Sequence, residues 1–360
     1  MLDDLLLRAY RPRSCLDVPV HRVDRPRFPV VDMHNHSQWA GDDWEVADVP
    51  RLVAEMDAAG VAARVDLDGG VGDRVKRHMD HFRGPYPERF AVFAQFDWPR
   101  YLDAAGFGER MARDLRGAAA AGVEGLKVWK NLGLTLKDPA GERLGTCDPR
   151  LDPIWETAAE LGLPVLIHTA DPVAFFAPLD ATNERYEELV AHPDWHFHGP
   201  GFPSFEQVQD EFEALVAGHP RTTFIGAHVA SHAESLASVA ERLGRYPNLY
   251  VDIAARHAEL GRQPRQAHRF LEAWRDRVVF GLDVWPASAA DYRVVYRFLE
   301  TEDDHFDYLA EGSDRGPGAQ GRWKIYGAGL GDEALRAIYH GTALCLLPRL
   351  AEAVGRMAAP

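Results

Sequence analysis

Eight short apolar runs, each followed by a longer stretch with helix-type spacing, leave few folds open to this chain. The runs fall at 30–33, 62–67, 90–96, 125–129, 165–168, 222–227, 249–253 and 278–282. Strands separated by helices return in the same direction after each crossover, which builds a parallel sheet. Eight such units over roughly 250 residues match the size and order of a (β/α)8 TIM barrel. A doubly wound open sheet is the alternative. It loses because no Gly-rich phosphate loop follows the first run, which leads instead into histidines.

Local signals support this division. Asp152 precedes Pro153, and the pairs Ser204/Gln207 and Ser231/Glu234 have capping-box spacing, in which side chains satisfy the orphan amides of a first helical turn. The barrel domain is expected over 28–350, after an N-terminal extension at 1–27. Two stretches exceed ordinary connections and are expected to act as lids or binding loops, about 169–203 and 301–329. Within the second, 311–321 is rich in Gly and polar residues and is expected to be mobile.

Composition excludes several partners. Forty Lys plus Arg against 55 Asp plus Glu give a net charge of -15, which repels phosphate backbones and anionic membranes. Neither nucleic acid nor a membrane is expected as a partner. A small-molecule substrate is, and a homo-oligomer is compatible with the chain. The 3 cysteines, Cys15, Cys147 and Cys345, lack any CxxC spacing and read as buried free thiols. The start, Met1-Leu2-Asp3-Asp4, is acidic where a signal peptide would be basic, and no apolar run approaches the ~20 residues that span a bilayer, so a cytoplasmic location is expected.

Barrel enzymes carry catalytic groups at the C-terminal ends of their strands. The first strand leads into Val31-Asp32-Met33-His34-Asn35-His36, and the two-residue period of extended chain points both imidazoles the same way. Alone, this HxH is a weak signal among 16 histidines. The fifth run ends on His168, the sixth on His228 and the eighth on Asp283, a carboxylate able to take a proton from an activated water. Each alone could be a rim histidine or a helix cap. Their recurrence at matching strand ends argues for one site.

These residues, with Gly281-Leu282-Asp283 and the helix at 338–347, resemble the amidohydrolase superfamily, in the branch that includes aminocarboxymuconate semialdehyde decarboxylase. The resemblance spans about Val30 to Leu347; the C-terminal helix departs from it, with Thr342 where the family has Asn. It implies a metal held by His34, His36, His168 and Asp283, with His228 beside it polarising substrate and moving protons, or serving as a ligand of a second ion. Zn2+ suits such donors best; Mn2+ or Fe2+ satisfies them too, and one ion is favoured over two. Lys127 stands where binuclear relatives have a carboxylated lysine bridging two ions. Unmodified, it would neutralise a substrate carboxylate or oxyanion.

Asp97 and Trp98 after the third strand, and Arg256 after the seventh, are further substrate-binding candidates, Arg256 through a bidentate grip on a carboxylate. The cluster His192, Asp194, Trp195, His196 and His198 contains a second HxH, but no strand end supports it. A lid contact or solvated loop is the expectation there. The leading functional expectation is a metal-dependent hydrolase acting on an amide, ester or lactone. The alternative at the same site is a decarboxylase of a small unsaturated or aromatic acid. A non-catalytic metal-binding scaffold is disfavoured by the complete ligand set.

Overall fold

Eight parallel strands pair in chain order: β1 (Val30–Asn35), β2 (Val61–Asp66), β3 (Phe90–Gln95), β4 (Gly125–Val128), β5 (Val165–Ile167), β6 (Phe224–Gly226), β7 (Leu249–Asp252) and β8 (Val278–Val279). This computed structural model describes residues 4–6, 9–10, 12–37, 45, 47–102, 105–311 and 319–358. Backbone bonds from Met33 N to Phe280 O (2.9 Å) and from Asp283 N to His34 O (2.8 Å) tie β1 to the segment after β8. The sheet thereby curls into a nearly closed barrel.

A principal helix follows each strand: α1 (Val49–Ala59), α2 (Asp73–His78), α3 (Phe107–Ala120), α4 (Asp152–Leu161), α5 (Phe205–Gly218), α6 (Leu236–Arg245), α7 (Pro264–Ala273) and α8 (Ala289–Glu300). Alternate strand residues serve two cores, as the pleat requires. Val31, Met33, Ala91, Phe93, Leu166, Ile225 and Val279 form one apolar cluster that also takes in Leu347 and Leu350 near the C-terminus. Val30, Phe90, Val92, Val165, Ile167 and Val278 face the helices in a larger one.

The helix starts differ in detail from expectation. Ser204 caps α5 by accepting from Gln207 N at 3.1 Å, while the Gln207 amide donates to Glu211 instead of closing the box. Asp152 is the first residue of α4 rather than its cap. Ser231 caps nothing, because α6 begins five residues later and Ser231 lies in a left-handed turn at φ 55°. Its Oγ accepts from Ala170 N, and Glu234 accepts from Val173 N, so this pair anchors the loop after β5.

That loop is not structureless, since it contains the helix Tyr186–Ala191. The 311–321 stretch expected to be mobile lies largely outside the described residues. The three cysteines are free but exposed, not buried as expected. Thr342, the departure in the C-terminal helix, is buried and donates to Arg275 O at 2.9 Å. Among the described residues no helix is long and apolar enough to cross a membrane.

Candidate functional site

The site starts with how β1 ends. Asp32 is buried, and its carboxylate accepts from His34 N (3.2 Å), Asn35 Nδ2 (2.7 Å), Tyr292 Oη (2.7 Å) and Leu282 N (3.1 Å). The β1 terminus is thus stitched to α8 and to the segment after β8. His34 and His36 then project their Nε2 atoms toward one point, 3.8 and 3.5 Å from Asp283 Oδ1. Their other nitrogens are committed: His34 Nδ1 donates to Asp252 Oδ2 at 2.8 Å and His36 Nδ1 to Asp68 Oδ1 at 2.9 Å. A carboxylate accepts only, so each ring keeps its proton on Nδ1 and turns its Nε2 lone pair inward.

Lys127, on β4, brings its Nζ within 3.0 Å of His34 Nε2. Burial lowers this lysine to about 8 against the opposing pull of Asp283 and Asp252. Burial and then the Lys127 charge hold His34 well below the ordinary imidazole value. Burial pushes Asp283 up, but the surrounding His34, His36, Lys127 and His168 together keep it below the usual carboxylate value. His34, His36 and Asp283 are near enough together to share one metal ion.

His228 reaches the same point by an unusual backbone. Four consecutive residues, His228, Val229, Ala230 and Ser231, have φ of 59°, 59°, 52° and 55°. Such left-handed conformations cost on the order of 1–2 kcal/mol for each non-Gly residue, and they persist where surroundings over-determine them. Here the surroundings are specific. Asp252 Oδ1 accepts from His228 N at 2.7 Å, and His228 Nδ1 donates to Ala254 O at 2.8 Å. Gly226 leaves room for the turn, since a Cβ there would meet Ala230 Cα at 2.9 Å. The result places His228 Nε2 3.6 Å from Asp283 Oδ2. Burial, then His168 and Arg256, hold His228 well below the usual value, so it is neutral with its proton on Nδ1.

His168 packs its ring 4.4 Å from that of His228. Its Nε2 hydrogen-bonds Ala170 O at 3.1 Å and lies 3.5 Å from Asp171 Oδ1, and it joins neither of the metal-sized groups among the described residues. Asp171 is itself paired with Lys130. Burial lowers His168 to about 4 in spite of Asp171.

The other candidates divide. Arg256 is buried near enough to His228 to depress it, and its guanidinium has one hydrogen bond among the described residues, Nη1 to Ala255 O at 2.8 Å, with no carboxylate in ion-pair range. Asp97 and Trp98 contribute no contact to the site among those residues. Asp97 is exposed and pairs with Arg100 at 2.7 Å, while the turn Trp98–Arg100 folds Trp98 back onto Phe96 in the core. His196 and His198 hydrogen-bond the Ala177 and Phe176 carbonyls, both at 2.9 Å, and His192 stacks on Trp195. They brace the loop.

Asp252 and Asp68 were not singled out from the sequence. Each ends or follows an apolar strand run, the same signal that exposed His168 and Asp283, but a carboxylate that grips another ligand has no spacing motif of its own.

A family model described as amidohydrolase matches residues 31–349. No curated protein sequence matches the chain. Among solved structures, a 2,6-dihydroxybenzoate decarboxylase complexed with 2,6-dihydroxybenzoate aligns over 89% of this chain and 99% of its own, with a TM-score of 0.52 at 17% identity. A dihydroxybenzoic acid decarboxylase from Polaromonas sp. JS666, with bound manganese and the inhibitor 2-nitroresorcinol, aligns over 89% and 97%, with a TM-score of 0.54 at 18% identity. An uncharacterised TIM-barrel protein from Bordetella bronchiseptica aligns over 90% and 100%, at 0.53 and 14%. At such identities the likeness is one of fold.

Proposed function

The chain belongs to the amidohydrolase family, and from that premise we propose that it is a metal-dependent hydrolase of a small-molecule amide, ester or lactone. One observation carries the proposal: the Nε2 lone pairs of His34 and His36 converge on Asp283 Oδ1, at 3.8 and 3.5 Å. The donor set suits a divalent cation, and the Lys127 ammonium is already drawn against one of its lone pairs. The proposed ligands are His34, His36 and Asp283, with His168 as the fourth by family resemblance. Zn2+ is the proposed ion, one per chain; Mn2+ and Fe2+ suit the same donors. When bound, the ion polarises the substrate carbonyl and lowers the pKa of the attacking water.

This chain's own groups do the rest. Asp283 takes the proton from the water, and His228 Nε2, 3.6 Å from Asp283 Oδ2, is the next acceptor on the route to the leaving group. Because Nδ1–H is committed to Ala254 O, neutral His228 has no donor to offer an oxyanion. Of the two roles the resemblance implies for it, moving protons fits better than polarising the substrate. Lys127 supplies positive charge beside the developing oxyanion.

A second reading has its own observation. Arg256 is a buried guanidinium that interacts with Glu188 and Glu234 only at longer range, with no carboxylate within 4.0 Å among the described residues, and a substrate carboxylate would satisfy it. That favours decarboxylation of a small unsaturated or aromatic acid. A panel of lactones, N-acyl compounds, esters and carboxylated aromatics, assayed for both hydrolysis and carbon dioxide release, separates the two. Hydrolysis lost in His36→Gln supports the first; carbon dioxide release without hydrolysis overturns it in favour of the second.

A further inference from the structure

We infer that Asp252 is a positioning residue, whose single carboxylate both aligns His34 for metal ligation and fixes His228 at the head of its left-handed turn. The inference rests on the proposed metal reading. Asp252 is fully buried at the end of β7, 0% exposed. Its Oδ2 accepts from His34 Nδ1 at 2.8 Å, while Oδ1 accepts from His228 N at 2.7 Å and Ala254 N at 3.0 Å. The same Ala254 accepts the His228 Nδ1–H through its carbonyl at 2.8 Å. One carboxylate therefore sets the tautomer of a proposed ligand and the backbone of the proposed proton carrier. The two rings lie close and tilted, with centroids 4.8 Å apart and planes at 35°.

His34, His228 and Asp252 are also close enough to be read as a cation site of their own. The hydrogen bonds argue otherwise. Both Asp252 oxygens already face N–H donors, and the His34 and His228 nitrogens directed at Asp283 are the Nε2 atoms, not those that Asp252 meets. Asp252 aligns; it does not ligate.

Asp252→Asn isolates this role because it preserves shape. The amide oxygen can still accept from His228 N and Ala254 N, but the NH2 group then faces His34 Nδ1. That nitrogen must become the acceptor, which moves the ring proton to Nε2, where the lone pair for the metal should be. His36, held by Asp68, keeps its Nδ1 proton and serves as an internal reference. A merely structural Asp252 would lower stability and leave both tautomers unchanged.

The test is imidazole 15N NMR of the metal-free protein together with Zn2+ affinity by chelator competition. The expected result for Asp252→Asn is His34 switched to Nε2–H, His36 unchanged, and Zn2+ affinity reduced roughly 10- to 100-fold. An unchanged His34 tautomer, or wild-type affinity in the folded variant, overturns the assignment. Should Asp252→Asn not fold, Asp252→Glu carries the test: it keeps an acceptor for His34 but displaces it by one methylene. Weakened affinity with His34 still Nδ1-protonated supports the inference, and wild-type affinity overturns it. His34→Gln separates the two layers. If it abolishes Zn2+ uptake while Asp252→Asn does not, only the role of Asp252 falls; if neither affects uptake, the metal reading falls with it.

Discussion

Gly281→Ala should damage the metal site without touching a ligand. A Cβ at Gly281 would lie 2.8 Å from His34 Cβ and 3.0 Å from Ala254 Cβ. Carbon atoms pack comfortably only beyond ~3.4 Å, so His34 would have to retreat by about 0.6 Å. It has little room to do so. His34 N is bonded to Asp32, Asp283 N is bonded to His34 O, and Ala254 N is held by Asp252. A functional constellation tolerates about 0.5 Å of misplacement. The expected result is a 10- to 100-fold loss of Zn2+ affinity, on the order seen when a ligand's orienting partner is removed, with about 1–3 kcal/mol of destabilisation from overpacking. Gly244→Ala is the control: its Cβ would meet Trp274 at an ordinary 3.5 Å within α6, so affinity should hold and stability should rise slightly. Chelator competition and thermal unfolding measure both. A folded Gly281→Ala protein with wild-type affinity would refute the claim that His34 is held in place by its surroundings.

Three other outcomes follow from particular contacts. Arg256→Gln should raise KM roughly 10- to 100-fold for carboxylated substrates, the value of one charge-assisted contact, and by less for uncharged ones; an equal effect on both would remove Arg256 from carboxylate recognition. Arg185 is buried between Glu188, at 2.7 Å, and Glu259, so Arg185→Met should leave uncompensated buried charge and cost about 3–5 kcal/mol in urea unfolding. His232 is lowered to about 4 by burial and then by Arg242. The unfolded chain therefore binds its proton more tightly, so this stabilisation is complete above pH ~6.5 and is lost as pH falls from there toward 4. Chemical denaturation of His232→Gln across that range should show a shallower decline than wild type, and an identical decline would contradict the assignment.

The barrel and the residues that face its mouth were legible because both are written locally. An apolar run that stops at His34, His168, His228 or Asp283 announces a strand end and a polar group on the same few residues. What holds those groups was not legible. Asp252 serves His34 from 218 positions away, and nothing near Asp252 in sequence marks that pairing. Asp97 and Trp98 follow β3 at a turn, Trp98–Arg100, that reverses Trp98 into the core, and nothing in the local pattern marks that reversal. The left-handed run from His228 to Ser231 was invisible for a different reason. None of its residues prefers positive φ; long-range bonds from Asp252 and Ala254 impose it.

The most direct test of the account is elemental metal analysis of protein purified without chelator. It predicts one divalent ion per chain, lost in His36→Gln and in Asp283→Asn. A chain that carries no ion, or one whose ion survives both substitutions, would contradict it.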